Sequence, residues 1–221
     1  TVTTARHISR SLRGLIFEEL IETLRVPLVV GNTVTYAAAK ELMETGISAL
    51  LVGVGPGASC TSREVLGIGV PQVTATLECA AARDQYYRET GRYVPIITDG
   101  GMRSGGDICK ALAAGADAVM LGSVFARTEE APARGYSWGM STGHAMLPRG
   151  TRIYTGVDTT LERLLLGPTS RTDGTENLVG AIRTAMGMCG ARTIAEFHNA
   201  ELVVAPSIKT EGKVWQYSGK R

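Results

Sequence analysis

Short apolar runs alternate along the chain with longer segments in which apolar residues recur at helical spacing. Four runs have the length and composition of buried strands, and they span residues 27–32, 47–52, 94–98 and 118–121. The helical segments, most of which end at a glycine suited to a helix C-terminus, span residues 11–24, 35–45, 74–90, 105–114 and 177–189. This order predicts an α/β domain with a parallel sheet covered on both faces.

Residues of chemical interest follow one strand after another. Asn32, the glycine-rich stretch 53–60, Asp99 and Gly122 each come after a predicted strand. In a (β/α) barrel all such residues lie on one face, where the active site forms. A doubly wound open sheet is the alternative, although the GxGxxG motif of that fold is missing from the sequence. We therefore expect part of a (β/α)8 TIM barrel, about four β/α units, in a single domain over residues 1–221.

Composition narrows the class of protein further. The net charge is +2 and 20% of the residues are charged, which gives no reason to expect nucleic acid or a membrane surface as a partner. No apolar run approaches the roughly 20 residues that span a bilayer, and the first residues lack the apolar segment of a signal peptide. The four cysteines include no CxxC pair, so we expect reduced thiols and a cytoplasmic protein. Three of them fall at apolar positions of predicted helices and are expected in the core: Cys79, Cys109 and Cys189.

Two stretches lack clear periodicity. Residues 127–155 are rich in Gly, Pro and Ser, and a run of this length predicts a lid-like insertion. Residues 200–221 are assigned to a C-terminal tail, in which residues 201–217 are predicted to form a short strand followed by an exposed end.

The stretch from Gly53 to Arg63 is the strongest candidate for chemistry. Three glycines in five residues allow positive φ angles and leave backbone amides and carbonyls uncovered, and Cys60 follows between hydroxyl residues. A thiol on such a loop at a strand end suggests a nucleophile beside an anion or cation site. An ordinary strand-end turn with an incidental cysteine is the alternative.

Several motifs together carry a resemblance to a known family. Taken in combination, they resemble the IMP dehydrogenase/GMP reductase family, and within it the short subgroup without a regulatory domain. The motifs are residues 53–63, Asp99-Gly100-Gly101, Gly122-Ser123, Trp138-Gly139-Met140-Ser141, 147–153 and 210–214. The resemblance covers nearly the whole chain, but only the C-terminal half of the family's barrel, so it implies that this chain carries that half.

The resemblance implies a covalent mechanism. Cys60 corresponds to the nucleophile that attacks C2 of the purine and forms a thioimidate, which agrees with the strong nucleophilicity of a thiolate. Ser62 stands where the family has a catalytic Thr and keeps the hydroxyl. Arg149, which precedes Gly150 where the family has an acidic or amide residue near the purine, completes the candidate catalytic residues.

The resemblance also implies a nucleotide site. Asp99 corresponds to the carboxylate that holds both ribose hydroxyls, with an ordinary helix-capping acid as the alternative. The family's phosphate-binding serine falls at Ala58, so Ser59 is the nearest hydroxyl. Amides at strand ends favour an anion. The remaining residues implied in phosphate binding are Gly101, Gly122 and Ser123, and those implied in reading the hypoxanthine edge are Gly139, Met140 and Ser141.

Cofactors and partners follow from the same resemblance. Asn32 and Gly53 are expected near a nicotinamide cofactor, NADP or NAD. Gly55, Gly57 and Cys60, with the Gly53 carbonyl, are expected to offer backbone oxygens to a monovalent cation such as K+. The expected partners are a purine mononucleotide (IMP, GMP or XMP) and further copies of the chain, as a homotetramer or homo-octamer.

Three functions stay open at this stage. Dehydrogenases of the family carry an Arg-Tyr pair on a long flap that activates water, and residues 127–155 contain no such pair. GMP reductase, which converts GMP and NADPH into IMP and ammonia, is therefore favoured. IMP dehydrogenase, which converts IMP, NAD and water into XMP and NADH, is the alternative. The alternative from another class is a non-catalytic module that binds purine nucleotides.

Overall fold

Strands and helices alternate through the residues that the computed structural model describes, which are 11–12, 15–139 and 152–204. The strands are β1 (Ser11–Leu12), β2 (Leu15–Ile16), β3 (Val29–Thr33), β4 (Ala49–Val52), β5 (Ile96–Asp99), β6 (Ala118–Met120), β7 (Tyr136–Trp138) and β8 (Arg152–Tyr154). The helices are α1 (Phe17–Thr23), α2 (Tyr36–Glu44), α3 (Ser62–Leu66), α4 (Gln72–Thr90), α5 (Gly105–Ala113), α6 (Ser123–Ala126), α7 (Leu161–Leu166), α8 (Leu178–Met188) and α9 (Ile194–Phe197).

A parallel sheet of four strands forms the centre of the described chain. Its order is β3-β4-β5-β6, so each strand pairs with the next one along the sequence. Helices α2, α4 and α5 connect these strands, as the alternation of apolar runs predicts. A doubly wound sheet reverses its strand order at a switch point, whereas a (β/α) barrel does not. The sequential order therefore favours part of a barrel, and that the part is half of one remains a prediction.

The first core lies between this sheet and helices α2 and α4. Val30, Leu50, Val52 and Ile96 on the strands are fully buried against it, because a strand covered by helices has to be apolar. Each such side chain contributes roughly 1.5–3 kcal/mol through burial. Thr35 caps α2 by accepting a hydrogen bond from the Ala38 amide, which fixes where that helix begins.

A second core joins α5 to the helices near the end of the chain. Leu112 of α5, Leu164 of α7, Leu178 of α8 and Phe197 of α9 are buried together. Ser104 caps α5 by accepting from the Asp107 amide, as the sequence predicts. This core anchors the segment that follows β6 to the same layer of helices.

Two arginines tie together the edge of the sheet where its strands begin. Arg83 of α4 is 3% exposed and donates through Nη1 to the Gly115 carbonyl at 2.6 Å and to Asp117 Oδ2 at 3.1 Å. Asp117 in turn accepts the Ile96 amide at 2.8 Å. Arg92 donates to the Gly46 carbonyl, at 2.7 Å, and to the carbonyl of the next residue, so it closes the turn between α2 and β4.

Two predicted boundaries are wrong. The helix expected over residues 11–24 begins only at Phe17, and the residues before it that the structure describes form the antiparallel pair β1–β2. Glu18 and Glu19 in its first turn suit a helix N-terminus, and Gly14 disfavours a longer helix. The helix expected from Thr74 begins at Gln72, directly after Pro71.

The lid-like insertion and the tail lie only partly within the described residues. Strands β7 and β8 are the stem of an antiparallel hairpin inside residues 127–155, and residues 140–151 lie outside the description. Strands of three residues are too short to show periodicity, so the sequence did not predict them. In the tail, residues 201–204 are exposed and form no strand, while residues 205–221 lie outside the description.

Candidate functional site

A side-chain bridge joins the ends of two strands at the carboxyl edge of the sheet. Asn32 Nδ2 donates a hydrogen bond to Asp99 Oδ2 at 2.9 Å, across a separation of 67 residues. The register of β3 against β4 shifts between Gly31 and Thr33, so Asn32 is the extra residue of a bulge. Bulges re-aim a side chain next to a functional site, and here the bulge turns Asn32 toward β5.

Gly53 makes this bridge sterically possible. It follows β4, which lies between β3 and β5, and its φ is +137°. A Cβ at this position would lie 2.3 Å from the Asp99 carbonyl oxygen and 2.7 Å from Gln72 Nε2, distances that no side chain tolerates. Only glycine fits between the two strand ends, so the first glycine of the loop serves packing as well as backbone freedom.

The environment of the Asp99 carboxylate favours its neutral form. Burial raises the pKa of Asp99 above its ordinary range, and the hydrogen bond from Asn32 acts in the opposite direction. Asn32 is the hydrogen-bond donor to this carboxylate among the described residues, so most of its acceptor capacity is open to a ligand or water.

Cys60 lies on a short turn after β4. Its amide donates to the Gly57 carbonyl at 3.0 Å, which closes the turn. The thiol is half-buried and reduced, and Sγ donates to Ser62 Oγ at 3.3 Å. The thiol thus contacts a hydroxyl at the start of α3, and whether it is a nucleophile or an incidental cysteine on a strand-end turn remains to be tested.

No role for Arg63 was predicted from the sequence. In the structure its guanidinium binds backbone carbonyls of the loop that carries Cys60. Its Nη2 donates to the Val70 carbonyl at 2.6 Å and its Nε to the Val54 carbonyl at 3.4 Å. A Cβ on Gly55 would lie 2.5 Å from Arg63 Cγ, so glycine is required where this side chain packs. The guanidinium thus ties the two ends of the cysteine loop together.

Pro56 brings the cysteine loop against the loop that follows β5. Gly100 and Gly101 have φ angles of +92° and +83°. A Cβ on either of them would lie 3.0 Å from the Pro56 ring, so the two loops are in close contact. The predicted nucleophile loop and the predicted ribose carboxylate therefore belong to adjoining segments of one edge.

The residues predicted to bind phosphate follow strands β4, β5 and β6. Ser59 is buried and Ala58 is exposed, so the hydroxyl lies one position after the site implied by the resemblance. Gly122 precedes α6, and its carbonyl accepts the amides of the last turn of that four-residue helix. Gly101 and Ser123 follow β5 and β6 at the same edge of the sheet. A phosphate cradle built from these residues remains a prediction.

The residues predicted to read the purine lie at and beyond the hairpin stem. Gly139 directly follows β7 and is half-buried, while Met140, Ser141 and Arg149 lie outside the described residues. On the exposed face of the stem, the Arg152 guanidinium lies 3.7 Å from the centre of the Tyr136 ring.

A cavity of about 250 Å³ with a mixed polar and apolar lining adjoins the two loops, between α4 and α5. Gln72 lines it and donates through Nε2 to the Val52 carbonyl at 2.8 Å. Thr76 and Thr98 also line it and are hydrogen-bonded to each other at 2.8 Å. Gln72 was not predicted as a site residue. Its position directly after Pro71 indicates a helix start, which could have drawn attention to it.

The other cysteines differ from one another in burial. Cys79 is fully buried, as expected, and burial raises the pKa of its thiol to about 12. Cys109 is half-buried and Cys189 is exposed, so the prediction of a core position is wrong for Cys189. The reason is that the end of α8 is itself exposed, at Gly187 and Met188, so Cys189 directly after it is exposed as well. None of the four cysteines forms a disulfide.

Comparison with known proteins decides the family. Residues 2–213 match the family model described as IMP dehydrogenase / GMP reductase domain. The chain belongs to this family. The resemblance read from the motifs is therefore confirmed.

Relatives and a solved structure of this family agree with that assignment. The chain is 39% identical over 208 residues to an uncharacterized oxidoreductase of Mycolicibacterium smegmatis, a match covering 92% of this chain and 56% of that protein. It is 43% identical over 187 residues to the inosine-5′-monophosphate dehydrogenase of Aquifex aeolicus, covering 77% of this chain and 37% of that protein.

A crystal structure of an IMP dehydrogenase/GMP reductase-like protein from Corynebacterium glutamicum superposes with a TM-score of 0.81. It is 38% identical in sequence, and the match covers 92% of this chain and 54% of that one. The chain thus spans about half the length of such relatives. With the sequential parallel sheet, this likeness supports part of an α/β TIM barrel.

The family implies a nicotinamide cofactor and a monovalent cation, and the loop geometry can be compared with both. No group of three His, Cys, Asp or Glu side chains suited to a metal occurs in the described part of the chain. The Gly57 carbonyl accepts the Cys60 amide but keeps a second lone pair, and backbone carbonyls of this kind suit K+. The cation site at Gly55, Gly57 and Cys60 remains a prediction.

The cofactor assignments of Asn32 and Gly53 also remain predictions. In the described chain the Asn32 amide contacts Asp99, while Gly53 packs against Asp99 and Gln72 and donates to the Thr33 carbonyl. Within residues 11–12, 15–139 and 152–204, no helix has the length and apolar character needed to cross a membrane.

Proposed function

We propose that this chain supplies the purine site of an oxidoreductase that acts at C2 of a 6-oxopurine mononucleotide through Cys60. The observation that carries the proposal is the contact of Pro56 with Gly100 and Gly101. It joins the loop of the thiol to the loop of the Asp99 carboxylate, so one nucleotide can reach both groups. Membership of the IMP dehydrogenase/GMP reductase family supports the same chemistry.

Each group has a distinct role in this proposal. The Cys60 thiolate adds to C2, and loss of hydride from IMP or of ammonia from GMP then leaves a thioimidate. The Ser62 hydroxyl at 3.3 Å from Sγ assists the movement of the thiol proton. Asp99 accepts the ribose hydroxyls. The phosphate binds to the amides and hydroxyls of Ser59, Gly101, Gly122 and Ser123, which follow three neighbouring strands.

Oxidation of IMP is the direction favoured by the relatives. The curated proteins of Methanocaldococcus jannaschii and Aquifex aeolicus, 37% and 43% identical to this chain, are named inosine-5′-monophosphate dehydrogenase. When bound, NAD would accept the hydride released from C2. Water then replaces the sulfur at C2, which yields XMP and regenerates the Cys60 thiolate.

Reduction of GMP is the second candidate, and one sequence observation favours it. Residues 127–155 lack the Arg-Tyr pair with which dehydrogenases of the family activate water. In the reductive direction, Cys60 displaces the 2-amino group as ammonia, C2 receives a hydride from NADPH, and the thiolate leaves to give IMP. No water attack is needed, so the shorter insertion suffices.

The direction can be measured with the intact protein. IMP with NAD, and GMP with NADPH, are incubated separately with wild type and Cys60→Ser while the nicotinamide absorbance is followed. Formation of XMP supports the dehydrogenase, and loss of NADPH with release of ammonia supports the reductase. Repeating the active assay in Na+ and K+ buffers tests the cation site.

If neither assay shows turnover, covalent labelling of Cys60 provides an independent measurement. A 6-chloropurine nucleotide should add covalently to Cys60, and the adduct is detected by intact mass. Nucleotide binding without an adduct or turnover would instead indicate a non-catalytic module, which the replacement of the phosphate-binding serine by Ala58 makes the competing function. Size-exclusion chromatography with light scattering tests the predicted homotetramer or homo-octamer.

A further inference from the structure

The bridge from Asn32 to Asp99 has features of a built arrangement. The donor comes from a bulge in β3, the acceptor from the end of β5, and β4 between them is followed by a glycine with no room for a side chain. Each of these features by itself costs stability, since bulges interrupt pairing and glycine loses conformational entropy. Together they place one amide against one carboxylate oxygen.

We propose that Asn32 is a positioning residue that holds Asp99 Oδ2 and so orients the carboxylate toward the two ribose hydroxyls of the bound nucleotide. This inference rests on the proposed function, because it assumes that Asp99 binds the ribose. It differs from a contact between Asn32 and the cofactor, since the Asn32 amide acts through Asp99 and not on the reacting ring.

The stoichiometry of hydrogen bonding supports this role. An ionised carboxylate accepts about four hydrogen bonds, and Asn32 donates one of them. Among the described residues Asp99 Oδ1 has no donor, so it is available to a vicinal diol together with the second lone pair of Oδ2. A carboxylate with one fixed oxygen cannot rotate freely, so binding a diol costs less ordering entropy.

The electrostatic environment of Asp99 supports the same role for Asn32. Burial raises the pKa of Asp99, and the Asn32 amide counteracts that rise by donating to the charged form. The charged side chains that line the adjoining cavity are Arg63, Asp107 and Lys110. Lys110 pairs with Asp107 at 3.0 Å and Arg63 binds backbone carbonyls, so the neutral amide is the group that contacts the carboxylate.

The test compares Asn32→Leu, which is close in volume but cannot donate, with Asn199→Leu at an exposed position. Affinities for IMP and for its 2′,3′-dideoxy analogue are measured by calorimetry on the intact protein. We expect Asn32→Leu to weaken IMP binding about tenfold, the scale of a hydrogen bond to a charged group, and to leave the dideoxy analogue within about twofold. Equal weakening of both ligands, or of neither, overturns the proposal.

A second measurement needs no nucleotide. The Asp99 carboxyl is titrated by carbon NMR in the ligand-free protein, and its midpoint should rise in Asn32→Leu and stay unchanged in Asn199→Leu. An unchanged midpoint in Asn32→Leu overturns the positioning role. If Asp99→Asn binds IMP as tightly as wild type, the ribose assignment under the proposed function fails, while this titration still decides whether Asn32 controls Asp99.

Discussion

The two edges of the four-stranded sheet are built on opposite principles. At the edge where the strands begin, charged side chains form a hydrogen-bond network. Arg83 donates to the Gly115 carbonyl and to Asp117. Asp117 also accepts hydrogen bonds from the Ile96 amide and the Tyr93 hydroxyl. The buried guanidinium of Arg83 has hydrogen-bond partners there. Such a network contributes to folding and leaves nothing for a ligand to bind.

At the edge where the strands end, polar groups are left open. The buried oxygens Thr33 Oγ1 and Gln72 Oε1 have no hydrogen-bond partner in the described part of the chain. Asp99 receives one donor, and glycines replace side chains at the turns. An unsatisfied buried polar atom costs about 1–3 kcal/mol, so this edge is less stable than the same backbone could be.

The difference separates an edge whose polar groups are satisfied within the fold from an edge whose polar groups are open to the proposed chemistry. In (β/α) barrels the loops after the strands carry the site and the opposite face carries stability, and this chain follows that division at the level of single hydrogen bonds. Substitutions at the two edges should therefore separate activity from stability. The four predictions below test that separation.

The largest expected effect is on activity, from Cys60→Ser. A serine hydroxyl is a far weaker nucleophile than a thiolate, so turnover should fall by at least about 10³-fold. The free energy of unfolding should change by less than about 0.5 kcal/mol, because Cys60 is half-buried and its hydrogen bond to Ser62 is one that a serine hydroxyl can also make. Nicotinamide absorbance and urea unfolding measure the two quantities.

The matched control is Cys189→Ser, the same substitution at the exposed cysteine. It should leave turnover and stability unchanged. Turnover in Cys60→Ser equal to that of the control would show that the sulfur takes no part in the reaction.

A substitution at the edge where the strands begin should lower stability and leave activity unchanged. Arg83→Ala removes the donor to the Gly115 carbonyl and leaves Asp117 without its cation, so the free energy of unfolding should fall by about 3 kcal/mol. The KM and turnover of the remaining folded protein should match wild type. Urea unfolding with an activity assay on the folded fraction measures both.

Arg88→Ala controls for loss of an arginine from the same helix. Arg88 is exposed and donates a hydrogen bond to Gln85, an exposed contact within one helix, so its removal should cost at most about 0.5 kcal/mol. If Arg83→Ala lowered activity more than stability, the two edges would not be separable in the way described here.

The regular part of the fold could be predicted because local signals agreed with one another. The apolar runs, the helical spacing of apolar residues and the helix-ending glycines point to similar boundaries. The family resemblance added the candidate residues of the site. Where a single signal stood alone, as for Cys189 at an apolar position past the end of α8, the prediction was wrong.

The contacts within the site could not be predicted. Asn32 reaches Asp99 only because β3 shifts register by one residue, and neither the apolar pattern nor the motif records that shift. The supporting role of Arg63 depends on the path of the loop back to Val70. Hairpin β7–β8 has strands of three residues, which are below the length at which alternation is a signal.

The third prediction concerns the pH dependence of stability, which reports the cost of burying the Asp99 carboxylate at the edge where the strands end. Burial raises the pKa of Asp99 in the folded protein, so ionisation of Asp99 costs more there than in the unfolded chain. Its contribution to stability therefore falls as pH rises from the ordinary carboxyl range, about 4, through the raised value. Asp99→Asn should be more stable than wild type at pH 7, and the difference should shrink toward zero below about pH 4.

The same variant should bind nucleotide at least about tenfold more weakly at pH 7, because the neutral amide cannot replace a carboxylate that accepts both hydroxyls. Urea midpoints across pH and calorimetric titration with IMP provide the measurements. A stability difference that grows at low pH would reverse the sign and contradict the raised pKa.

The smallest effect should come from Ser62, whose hydroxyl touches the nucleophile without reacting. Ser62→Ala removes one neutral hydrogen-bond partner, so turnover should fall about three- to tenfold with little change in stability. Ser62→Thr keeps the hydroxyl and should restore most of the rate. If the threonine variant were as slow as the alanine variant, the contact at 3.3 Å would be incidental to the reaction, and the chemistry of this edge would depend on Cys60 and Asp99 alone.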